Sequence, residues 1–111
     1  LGVDRILPFN LLKRANGLLS LFFGAHSQYE KELLRQIILD TDLDFAKWAT
    51  RAVLHWDNSE VPENLTHLHG TNDLILPFRY ADCDIAIPGG GHFMTMNKAD
   101  EINQILPKLL G

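Results

Sequence analysis

A chain of 111 residues with 46% hydrophobic and 22% charged content has the size and balance of one globular domain. Its longest apolar run, Leu18 to Phe23, is broken by Ser20 and far too short to span a bilayer, so no membrane association is expected. Ten basic against fourteen acidic residues give a formal charge of −4, and no cluster of Lys and Arg could neutralise a line of phosphates, which argues against nucleic acid as a partner.

Cys83 is the single cysteine, which excludes an intrachain disulfide framework and fits a reducing compartment, with a cytoplasmic location as the default expectation. No charged segment followed by an apolar run and a cleavage site opens the chain, so a signal peptide is not expected. The start at Leu1 rather than Met leaves two alternatives, processing or a piece of a longer chain.

In chain order, Leu11, Leu12, Ala15, Leu18, Leu19, Phe22 and Phe23 recur every three or four residues and predict a helix over 8–23. Pro8 suits its first turn, Gly17 weakens its middle and Gly24 is placed to stop it. Ser27 followed by Glu30 reads as a capping box at the head of a second helix, whose apolar stripe is Leu33, Leu34, Ile37 and Ile38 and which should end near Asp40. Thr41 or Asp42 can cap a third, carrying Phe45, Trp48, Ala49, Ala52, Val53 and Trp56 on one face. Asp40, Asp42 and Asp44 are a cap and solvated charges, since they lack the glycine and terminal glutamate of a calcium loop.

A polar connector over 57–63, with Pro62, ends the helical half. Beyond it, residues 65–69 and 83–87 are β-compatible, the first stopping at Gly70 and the second at Pro88 and three glycines. The thirteen residues of 70–82 suffice for a parallel crossover but leave little room for a helix. Asn97 can cap a last helix with Ile102, Ile105, Leu106 and Leu109 inward, and Pro107 should kink or shorten its final turn. Met94 and Met96 beside His92 would pack the preceding loop against it or, alternatively, line a pocket. The expected fold class is α/β, and two parallel strands alone would leave long unpaired edges, so the pattern itself suggests missing strands.

Two strand ends carry the candidate chemistry. In His67-Leu68-His69-Gly70-Thr71-Asn72-Asp73 a carboxylate follows a glycine-terminated strand, and in Ile87-Pro88-Gly89-Gly90-Gly91-His92 a histidine follows a glycine-rich one. Carboxyl ends of adjacent parallel strands share one crevice, so Asp73 and His92 should meet there. Taken singly, Asp73 reads as a turn-forming aspartate and His92 as a loop or capping histidine. Order, spacing and strand context together reverse that preference.

As a pair, these segments resemble the last two strand-end motifs of the α/β-hydrolase family, an H-G-x-x-D-x-x-x-P loop that supplies a triad acid and a G-G-H loop that supplies its base, in the family's order. The resemblance is close over 64–110 and loose before 57. It implies the C-terminal portion of an α/β-hydrolase fold, with 1–57 as a helical lid or cap and 58–111 as the end of the hydrolase core. It further implies a serine hydrolase acting on ester-like or other acyl substrates, with Asp73 and His92 catalytic and no cofactor or metal. The lid's Leu18, Leu19, Phe22, Phe23, Phe45, Trp48 and Trp56 would divide between core packing and an acyl-binding wall.

The departure from the family is the nucleophile. Ser20, Ser27 and Ser59 do not lie in a G-x-S-x-G elbow, Cys83 falls inside an expected strand, and neither oxyanion-hole amide has a candidate, so catalysis by this chain alone is not expected. An alternative is a noncatalytic interaction domain of hydrolase-like fold, completed by a partner or by a homo-oligomer formed through exposed strand edges. A further alternative takes His67 and His69, alternating onto one strand face, as metal ligands together with Asp73 or His92. The resemblance gives His69 a packing role instead.

Overall fold

A computed structural model describes residues 16–111. Pro8, Leu11, Leu12 and Ala15 of the expected first helix lie outside the described residues. The part described, α1, spans Asn16–Phe23. Gly24 ends it in the left-handed region with φ 72°. Its amide donates to Leu21 O at 3.2 Å while the amide of Ala25 reaches back to Ser20 O at 2.9 Å, the paired bonds that close a helix on a glycine.

Helix α2 spans Gln28–Asp40 and begins with both halves of the expected capping box. The Glu30 amide donates to Ser27 Oγ at 3.1 Å and the Ser27 amide to Glu30 Oε2 at 3.4 Å. Helix α3 spans Leu43–Leu54 and is capped by Asp42 rather than Thr41, with Asp42 Oδ1 accepting the Phe45 amide at 2.8 Å. The hydroxyl of Thr41 turns back to Ile37 O at 2.6 Å and closes α2 instead.

The two strands, β1 at Leu68–Gly70 and β2 at Ile85–Ile87, pair in parallel with Leu68 beside Ile85 and Gly70 beside Ile87. Each is shorter than the sequence suggests. Below Leu68 a side chain takes over from the ladder: the His67 amide donates to Asp84 Oδ2 at 2.7 Å, and His67 O accepts the amides of Asp84 and Ile85. Cys83 accordingly lies just before β2 rather than within it. The crossover consists of turns and a single 3-10 turn at Phe78–Tyr80, in keeping with its length. Among the described residues the sheet has these two strands only, and the architecture is mixed α/β.

Two expectations about the C-terminal end need correcting. A four-residue helix, α4 at Met94–Asn97, precedes α5 at Ala99–Leu110, and the residue at the head of α5 is Lys98, without a side-chain cap. Asn97 does not cap because its amide is taken by the helical half, as described below. Helix α5 also continues through Pro107 to Leu110, since a proline this near the end removes one amide bond without stopping the last turn.

The apolar core is small. Ala25, Leu34 and Ile87 are the buried hydrophobic residues among those described, while Phe45, Trp48 and Val53 on α3, Trp56 beyond its C-cap at His55 rather than within the helix as expected, and Leu106 and Leu109 on α5 are exposed. Leu33 and Ile38 on α2 and Ile102 and Ile105 on α5 are half-buried. The helical periodicities are therefore those of faces made to be covered, but two strands cover only a fraction of them. The radius of gyration, 15.6 Å, exceeds the ~13 Å of a compact domain of about 100 residues.

Candidate active site

Glycines bring the two strand-end loops into backbone contact. A β-carbon on Gly70 would collide with the carbonyl of Gly90, and Gly90 in turn packs on Gly70 Cα and Ile87. This close approach lets the loops be sewn together. Thr71 N donates to Ile87 O at 3.1 Å, Asn72 N to Gly90 O at 2.9 Å, and Gly89 N to Thr71 Oγ1 at 2.8 Å. Gly89 makes its turn with φ 71°.

Asp73 and His92 meet at the end of this seam. His92 Nδ1 lies 3.0 Å from Asp73 Oδ2, a hydrogen bond across 19 residues of sequence. The other carboxylate oxygen, Oδ1, accepts the amides of Ile75 and Leu76, each at 2.8 Å. Asp73 is buried, 7% exposed. Burial pushes its carboxyl up, but the Leu76 amide, the His92 ring and the Ile75 amide together outweigh that cost and hold it below the usual aspartate range. An ionised acceptor beside Nδ1 makes that nitrogen the donor of the pair, and in the neutral form of the ring Nε2 then carries the lone pair, on the side away from Asp73. The His92 side chain keeps 35% of its surface in solvent.

His69, given only a packing role by the resemblance, braces the acid loop. Its Nε2 donates to Leu76 O at 2.7 Å and stands 3.7 Å from Asp73 Oδ2. Thus Leu76 receives a bond at its carbonyl and gives one from its amide, fixing the loop that holds the carboxylate. His67 Nε2 meets His69 Nδ1 at 3.1 Å, and His67 Nδ1 lies 3.3 Å from Asp82 O. The two rings are therefore turned toward each other and toward main-chain carbonyls. Among the described residues no three His, Cys, Asp or Glu side chains gather as a metal-binding group, so the metal reading of His67 and His69 gains no support.

The serines occupy other settings than a nucleophile elbow. Ser20 is buried within α1 and the Ser27 hydroxyl is engaged as a helix cap, while Ser59 lies in the exposed connector. An open cavity of about 540 Å³ adjoins Asp73, with Leu21, Gly24, Leu74, Phe78 and Arg79 among its walls. Its helical wall is Leu21, Gly24 and His26 rather than any of Leu18, Leu19, Phe22, Phe23, Phe45, Trp48 or Trp56. Leu21 escaped the sequence reading because it interrupts the three-and-four spacing of its helix.

Of the residues around the pair, Gly24 was expected only as a helix stop, Asn97 only as a helix cap and Phe23 only as core or pocket wall of the lid, while Thr71 had no assigned part. No family model matches the chain, and comparisons with characterised proteins and with solved structures gave no significant match. Among the described residues no helix is long and apolar enough to cross a membrane.

Proposed function

We propose that this chain supplies the acid, Asp73, and the base, His92, of a serine hydrolase of α/β-hydrolase type acting on ester-like or other acyl substrates. The observation that carries the reading is the 3.0 Å bond between His92 Nδ1 and Asp73 Oδ2 at the carboxyl ends of adjacent parallel strands. A buried, ionised carboxylate on Nδ1 fixes the tautomer and stabilises the imidazolium. The Nε2 lone pair can then take the proton from a hydroxyl as it attacks an acyl carbonyl and return it to the leaving group. Residues 16–57 serve as a lid over this site, and the cavity beside Asp73 falls within the size range of small-ligand pockets.

The nucleophile and the oxyanion amides belong to polypeptide outside these 111 residues. Among the described residues, a sheet of only two strands and the exposed Phe45 and Trp48 of α3 support this, since burying a large apolar side chain contributes about 1.5–3 kcal/mol. The same surfaces favour a second reading, a noncatalytic interaction domain completed by a partner or by a second copy.

Covalent labelling of the intact gene product separates the two. A fluorophosphonate probe should modify one serine within a G-x-S-x-G segment upstream of Leu1, and His92→Ala should abolish labelling. An intact product without that segment, or labelling indifferent to His92, would leave the interaction domain as the better account.

A further inference from the structure

Several hydrogen bonds and a ring contact that tie α1 and α2 to the strand-loop half converge on the few residues around His92. The amide of Phe93 donates to Phe23 O at 2.8 Å. Gly24 and Gly91 touch through bare backbone, since a β-carbon on either would stand 3.1 Å from the other's Cα. Asn97 Nδ2 donates to Gly24 O at 2.6 Å and to Glu30 Oε2 at 3.2 Å. Glu30 in turn accepts the amides of His26 and Ser27. Both chain neighbours of His92 are thus held by one turn of the helical half, the turn that ends α1.

The ring of His92 is held by the same turn. Phe23 meets it edge to face, with centroids 5.6 Å apart and planes at 74°. The bond to Asp73 pins the ring at one nitrogen, and a single bond leaves rotation about its own axis unopposed on a partly solvated side chain. The Phe23 edge opposes that rotation, an aromatic contact worth about 0.5–1.5 kcal/mol beyond its buried area.

We infer that Phe23, Gly24 and Asn97 form a clasp that aligns His92 with Asp73 only while α1 and α2 are seated, so that lid closure and assembly of the acid–base pair are one event. Phe23 and Asn97 are positioning residues, acting through His92 and its loop. With the lid displaced, His92 would lose the Phe23 ring and the contacts that the helical half makes to Gly91 and Phe93, and of the ring's own contacts among the described residues the bond to Asp73 would remain to orient it. The inference gives the helical half of the proposed hydrolase a specific duty and rests on that reading only for its catalytic meaning; the alignment is measurable without any reaction.

The test is nitrogen-15 NMR of the histidine rings in the full chain. The unsubstituted protein should show a His92 Nδ1–H resonance protected from water. Phe23→Ala should speed its exchange about tenfold, and Asn97→Ala should do likewise, while amide protection in α2 and the strands is kept. Phe23→Tyr, which restores the aromatic edge, should restore protection. If Phe23→Ala fails to fold, Asn97→Ala carries the test, because it removes one amide group from the surface between the halves. Unchanged exchange in a folded Phe23→Ala or Asn97→Ala variant would overturn the clasp while leaving the acid–base pair standing. No protected Nδ1–H in the unsubstituted protein would overturn the pair itself, and the clasp with it.

Discussion

Asp73 divides its two carboxylate oxygens between two tasks: Oδ2 holds the ring of His92 at 3.0 Å, and Oδ1 is held by the amides of Ile75 and Leu76 at 2.8 Å. The residue is an anchor for the ring because it is itself anchored by its own loop. Neither task depends on the proposed catalytic role, and each has measurable consequences in the chain as it stands.

Acid sensitivity is the first consequence. The Asp73 carboxyl titrates below its unfolded value because its hydrogen bonds outweigh the cost of burial, and Glu30 does so chiefly through the His26 amide, assisted by Asn97 and Ser27 against a smaller burial cost. Between the folded and unfolded values the unfolded chain binds more protons. The stabilisation is therefore complete above the unfolded carboxylate range, about 4, and is lost as pH falls through the lower folded values. Urea midpoints measured from about pH 6 down to pH 3 should fall, and Asp73→Asn should be less stable near neutrality yet show a shallower acid decline. An equally steep decline in that variant would show that Asp73 does not contribute to it.

The seam between the loops predicts a steric effect. Gly70→Ala places a methyl group against the Gly90 carbonyl, where backbone rather than a flexible side chain must yield. A loss of about 1–3 kcal/mol in urea unfolding is expected, with disturbance of the His92 ring signals. Gly17→Ala, with nothing among the described residues within 4 Å of the added carbon, should be neutral or stabilising by up to about 1 kcal/mol. Equal costs at the two glycines would contradict the close approach of the strand ends.

His69 tests the bracing of the acid loop. Replacing it with Leu keeps an apolar body but leaves the Leu76 carbonyl without its ring partner, which should cost about 1–3 kcal/mol and loosen Asp73. Faster exchange of the Ile75 and Leu76 amides is the direct readout. Unaltered exchange of both would reduce His69 to packing.

Ser27 offers a local control. Ser27→Ala removes one half of the α2 capping box and should cost about 1 kcal/mol, while Ser27→Asp should retain most of the stability. Because Glu30 also receives Asn97, a fraction of the Ser27→Ala effect should reach the His92 loop.

What could be read from the sequence follows the range over which each interaction acts. The Ser27 and Glu30 box, the Asp42 cap and the Gly24 stop are contacts between near neighbours, so their residue types declare them. Asp73 and His92 lie far apart in sequence, yet glycine-terminated parallel strands deliver both to one crevice. Asn97 misled because a residue type suited to capping was recruited by Gly24 and Glu30 across the fold, an interaction without periodicity or local signature. Phe23 reads as one more apolar helix residue, and only the tertiary structure sets its edge against His92. The apolar stripes of α3 and α5 were legible as helices, but what covers them is not specified by their periodicity.

The central claim is that Asp73 and His92 act as one catalytic unit, and non-additivity tests it most directly. In the intact gene product, ester hydrolysis should fall about 10³–10⁶-fold in kcat on His92→Ala, and the double variant with Asp73→Asn should fall no further than the worse single variant. Losses that multiply in the double variant, or activity that survives His92→Ala, would contradict the account.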